Sequence, residues 1–96
     1  MSKMKMTQNV YLRSLERNYP LHFNEFLITE FGCREVDTMH SSLQVKKMYK
    51  RAYRDYLIDY KTFFKTSTEV SEMIDRVIED CDKFLARKEI SWRLQK

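Results

Sequence analysis

One glycine, one proline and two cysteines are all that 96 residues contain of these types. A β-sandwich or barrel needs a turn signal about every 8–12 residues, so this scarcity argues against either. A single glycine also leaves no phosphate-cradling loop. Cys33 and Cys81 stand far apart, and His22 and His40 form no His-x-x-x-His pair, so no metal-ligand set is expected. Cys33, Asp37 and His40 share one short segment, which ordinary loop polarity explains. No serine sits in a nucleophile elbow. The sequence therefore points away from an enzyme, a cofactor or a metal.

Long apolar runs are missing as well. No stretch approaches the roughly 18 apolar residues of a membrane span. Residues 1–9 carry lysines without the apolar stretch of a secretory signal. The expectation is a cytoplasmic protein with free thiols, a Cys33–Cys81 bridge being the lesser alternative.

What is present is helical in period. Hydrophobic residues make up 43 % and charged residues 33 %, a mixture suited to one small folded domain over 1–96 with a loose start at 1–6. Tyr11, Leu12 and Leu15 recur at helical spacing in a first helix over 7–18, which the pair Tyr19–Pro20 ends. Phe23, Phe26, Leu27 and Phe31 share one face of a second helix stopped by Gly32. The run 26–29 also fits a strand, but a strand without a partner is not stable, so helix is preferred. Residues 33–40 have no clean period and read as a turn or short irregular helix.

Ser41 and Gln44 fit a capping box opening a third helix to about Lys65, and Thr66 and Glu69 fit another opening a fourth. The third helix carries Tyr49, Tyr53, Tyr56 and Tyr60 on one face, with Lys47, Lys50, Arg51, Arg54, Lys61 and Lys65 expected on the opposite one. The fourth carries Val70, Ile74, Val77, Cys81 and Phe84, widened by Met73, Ile78 and Leu85. The expected fold is all-α, with two short N-terminal helices packed on a long antiparallel hairpin. The tyrosine stripe reads as core more readily than as a base-stacking platform.

Charge comes in blocks: +5 over 43–66 (seven basic, two acidic), −5 over 67–82 (one basic, six acidic) and +4 over 83–96 (five basic, one acidic). Folding about residue 66 would set Lys50 near Asp82, Lys46 near Ala86 and Tyr60 near Glu72. Cations from both helices would then meet at the end away from the bend. Lys46, Lys47, Lys50 and Arg51 lie in the first turns of their helix, where the macrodipole disfavours them by a few tenths of a kcal/mol each. An anionic partner would explain their retention, although solvated charge on a helix face is common.

The sequence thus suggests a small non-enzymatic regulator or inhibitor. Its partner would be an acidic or nucleic-acid-handling protein, docked through Lys46, Lys47, Lys50, Arg51, Arg54, Arg87, Lys88 and Arg93, with Trp92 as anchor. Direct DNA or RNA binding through the same cations is the alternative. It includes a helix-turn-helix-like arrangement that would present residues 34–42 to the major groove. A structural homo-oligomer is a third reading and would need surplus apolar surface. The oligomeric state is left open.

Overall fold

The computed structural model describes residues 7–87. The expected loose start at 1–6, and Lys88, Trp92 and Arg93, lie outside the described residues. Four α-helices run in order: α1 (Gln8–Arg17), α2 (Phe23–Phe31), α3 (Leu43–Phe63) and α4 (Thr68–Leu85). A single 3₁₀ turn, Glu35–Thr38, joins α2 to α3, and there is no strand among the described residues. α3 and α4 form an antiparallel hairpin, and α4 packs on α3 more extensively than any other pair of elements meets. The fold is all-α.

Local chemistry sets the helix ends. The Thr7 hydroxyl accepts from the Val10 N–H at 3.3 Å to open α1. Asn18 closes it in the left-handed region at φ 54°, a conformation asparagine tolerates better than most residues. Gly32 stops α2 at φ 71°, where a Cβ would be strained. The hairpin helices begin one residue later than the sequence suggested. Ser42, not Ser41, caps α3 by accepting from Val45, and Ser67, not Thr66, caps α4 by accepting from Val70. Each bond is 3.2 Å long. A hydroxyl stands at both neighbouring positions in each case, so the motif alone could not choose between them.

The tyrosine stripe is core. Tyr53, Tyr56 and Tyr60 are buried with Leu57, and Phe26 stacks on Tyr56 at a ring separation of 5.2 Å. At the bend, Phe64 stacks on Tyr60 at 4.4 Å and Tyr11 tilts against Phe64 at 5.4 Å. α4 contributes Ile74 and Cys81 to the same core, with Val70, Met73, Val77 and Ile78 packed at its margin. Both cysteines are free thiols.

The face of α1 differs from expectation. Val10 and Ser14 are fully buried, whereas Leu12 and Leu15 are 48 % and 53 % exposed. The burial of Ser14 is stabilised by a hydrogen bond between its hydroxyl and that of Tyr56 at 2.7 Å. That pairing turns the apolar leucines outward. Arg13 and Arg17 bridge to Glu25 and fasten α1 to α2.

The hairpin brings Lys47 to Arg87 and Lys50 to Phe84, close to the expected register. The ion pairs along the seam, however, reach about one turn farther: Asp82 pairs with Arg54 at 2.5 Å, and Lys61 pairs with Asp75 at 2.5 Å. Helical side chains lean toward the N-terminus of their own helix. In this hairpin, α3 side chains therefore lean away from the bend and α4 side chains toward it. A long arginine on α3 meets a carboxylate farther from the bend than its own Cα. The cations also do not all point away from the tyrosine face. At 3.6 residues per turn Lys50, Arg54 and Lys61 lie roughly 90–130° around the helix from it, and they line the seam with α4.

Candidate docking surface at the basic end

Residues from both hairpin helices converge at the end farthest from the bend. The Lys47 ammonium donates to the Arg87 carbonyl, which joins the second turn of α3 to the chain leaving α4. A cation beside carbonyls at a helix C-terminus is favoured by the macrodipole. Arg51 is exposed and has no ion pair among the described residues. Arg54 is different. It is engaged by Asp82 at 2.5 Å and Asp55 at 3.7 Å, so its charge is largely answered within the chain.

An open cleft of about 200 Å³ lies at the same end. Lys46, Tyr49 and Lys50 of α3 form one wall, Phe23 of α2 and Phe84 of α4 form the floor, and Glu35, Thr38 and Met39 form the far rim. The Lys50 ammonium sits 4.1 Å from the centre of the Phe23 ring and 5.9 Å from that of Phe84. The Arg87 guanidinium covers Phe84 at 5.1 Å. Such cation–π contacts contribute roughly 0.5–1 kcal/mol each at exposed sites. They hold two cations over apolar groups instead of letting them extend into solvent.

The rim is built by the 3₁₀ turn. The Asp37 carboxylate accepts from the Arg34 N–H at 2.9 Å and from its guanidinium at 3.2 Å. Those bonds, the backbone one first, lower the Asp37 pKa below the ordinary carboxylate value. The Asn24 amide oxygen accepts from the Glu35 N–H at 2.6 Å, and the Thr38 hydroxyl donates to the Glu35 carbonyl at 2.7 Å. Residues 34–42 therefore contain one short 3₁₀ turn and no α-helix of the length a major-groove reader uses. No group of three or more metal-ligating side chains occurs among the described residues. Cys33, Asp37 and His40 are thus not assembled into one.

Lys46, Lys47, Lys50 and Arg87 are brought together. Arg51 flanks them, and Arg54 belongs to the ion-paired seam. Sequence reasoning missed Phe23, Met39 and Phe84 as parts of this surface. Phe23 and Phe84 were visible only as members of apolar stripes, and Met39 fell in a segment without period.

Compared with protein-family models, curated proteins and solved structures, the chain matches none. No helix among the described residues is long and apolar enough to cross a membrane.

Proposed function

We propose that the protein is a small non-enzymatic binding protein, regulatory or inhibitory in effect. It docks its basic end onto an acidic surface of a protein that handles nucleic acid. The observation that carries this reading is the Lys47–Arg87 contact, which brings cations from two segments to one end of the hairpin, where Lys46 and Lys50 line a cleft. Like charges so arranged favour association with an anionic surface and speed encounter with it. Lys46, Lys47, Lys50, Arg51 and Arg87 supply the steering. Lys88, Trp92 and Arg93, outside the described residues, keep the partner-binding role expected from the sequence, Trp92 as anchor.

Affinity purification from the native host, with and without nuclease treatment of the lysate, tests the proposal. A protein partner retained after nuclease, and lost with Arg51→Glu or Trp92→Ala, is the expected result. A partner released by nuclease would contradict it.

Direct DNA or RNA binding is the second reading. It would use the same cations, Lys46 and Lys50 at the cleft with Arg87 over Phe84. It requires an affinity whose logarithm falls steeply with the logarithm of salt concentration, and further weakening when Lys47 and Arg51 are changed to glutamate.

A further inference from the structure

The basic end has an apolar floor that a purely electrostatic docking face does not need. Phe23 and Phe84 reach the cleft from two different helices, and Met39 on its rim is 61 % exposed. Val36, 54 % exposed, lines the adjoining hollow with Met39 and extends the apolar strip outward. At about 200 Å³ the cleft is smaller than the usual 300–1,000 Å³ of small-molecule sites, and suits one bulky side chain. Its charged lining divides by element: Lys46 and Lys50 come from the hairpin, with Arg87 beside them over Phe84, and Glu35 comes from the 3₁₀ turn.

We infer that this cleft receives a single bulky apolar side chain presented by an acidic segment of the partner protein. The segment's carboxylates meet Lys46, Lys50 and Arg87 along the hairpin edge, and its apolar face continues over Met39 and Val36. This rests on the basic end being the docking surface, and adds what that surface recognises. Charge complementarity selects the acidic segment. Ring occupancy disfavours a nucleobase. Phe23 already has the Lys50 ammonium over it and the Tyr53 ring against it at 5.1 Å, and Phe84 has Lys50 and Arg87 over it. A base would have to displace these groups to stack, whereas an aliphatic or aromatic side chain can enter between them. Glu35 on the far rim also opposes a phosphate chain crossing the cleft. A peptide can keep its carboxylates to one side.

The test uses the full chain and a library of acidic peptides alike except at one central position, which is varied. Affinities are measured by fluorescence anisotropy, and contacts are mapped by side-chain NMR shifts. Bulky apolar anchors should bind roughly tenfold or more tighter than serine, as expected for burying one large apolar side chain. The rings of Phe23 and Phe84 and the Met39 methyl should shift. Met39→Gln, at a position 61 % exposed, should reduce the preference for a bulky apolar anchor over serine. Lys46→Gln should weaken all peptides by a similar factor. Equal affinity whatever the anchor would overturn the cleft inference and leave the basic end as an electrostatic docking face. Failure of every acidic peptide, with oligo-dT shifting the same rings, would overturn both in favour of base stacking. Shifts confined to the surface of Leu12, Leu15 and Ile28 would place recognition elsewhere and overturn both as well.

Discussion

Tyr56 holds the backbone of Leu21: the Leu21 N–H donates to the Tyr56 hydroxyl at 2.7 Å. The neighbouring Tyr53 hydroxyl donates to the Leu21 carbonyl at 2.8 Å. Both main-chain groups of a fully buried residue are thus satisfied by side chains from α3. The link between α1 and α2, which includes Pro20, is pinned to the hairpin in this way. Ser14 of α1 shares the Tyr56 hydroxyl, so one oxygen ties together three parts of the chain.

Replacing Tyr56 by phenylalanine leaves the Leu21 N–H and the Ser14 hydroxyl buried without a partner. The expected cost is about 1–3 kcal/mol for each group left unsatisfied, read as a lower denaturant midpoint at unchanged slope. Ser14→Ala should cost less than Tyr56→Phe, because the hydroxyl of Tyr56 then still accepts from Leu21. The opposite ranking would mean that Tyr56 is not the hub.

Alkaline pH should unfold the protein. Burial, the largest cause, raises Tyr53, Tyr56 and Tyr60 above the ordinary tyrosine value of 10.0. In Tyr56 the bonds from Ser14 and Leu21 oppose that rise in part. An acid whose folded pKa lies above its unfolded one contributes stability that is complete below the unfolded value. That stability is lost as pH climbs from 10.0 toward the raised folded values. Helical circular dichroism should hold up to about pH 10 and then fall together with a cooperative rise in tyrosinate absorbance. Tyrosinate appearing fully while the helix signal persists would show that the stripe is not buried.

The two thiols should differ in reactivity. Cys81 is 2 % exposed, and burial raises its pKa above the ordinary thiol value of 9.0, which disfavours the reactive thiolate. Cys33 is only half-buried, at the edge of α2. A disulfide-exchange reagent should modify Cys33 promptly and Cys81 only at the rate of opening. Cys33→Ser should abolish the prompt phase. Two equal prompt phases would contradict the packing of α4 on α3.

Much of the architecture was legible in the sequence because period alone encodes it. The spacing of Tyr49, Tyr53, Tyr56 and Tyr60, and that of Val70, Ile74, Val77 and Cys81, identified both hairpin helices and their buried faces. Gly32 marked the end of α2 correctly. The two caps were missed by one residue for a local reason, adjacent hydroxyls; the other misses depended on a partner elsewhere in the chain. Ser14 displaced Leu12 and Leu15 from the core because Tyr56 supplied a hydrogen bond. The ion pairs moved by a turn because the side chains of the two helices lean in opposite directions. The cleft stayed hidden because its floor, wall and rim come from four separate segments. Leu12, Leu15 and Ile28 also remain outside the core, and Ile28 and Leu12 line one shallow groove between α1 and α2. Sedimentation above 11.8 kDa in high salt would reveal a homo-oligomer.

The functional account depends on the hairpin bringing the start of α3 beside the end of α4. Spin labels at Lys47→Cys with Arg87→Cys, and at Lys61→Cys with Arg87→Cys, in a Cys33→Ser, Cys81→Ala background, measure this by pulsed dipolar spectroscopy. Residues 47 and 61 are separated by about 21 Å along α3 at 1.5 Å per residue. The 47–87 distance should therefore be much the shorter, by a large part of that length. A 61–87 distance equal to or below the 47–87 distance would place Arg87 away from Lys47, and the basic end would not exist.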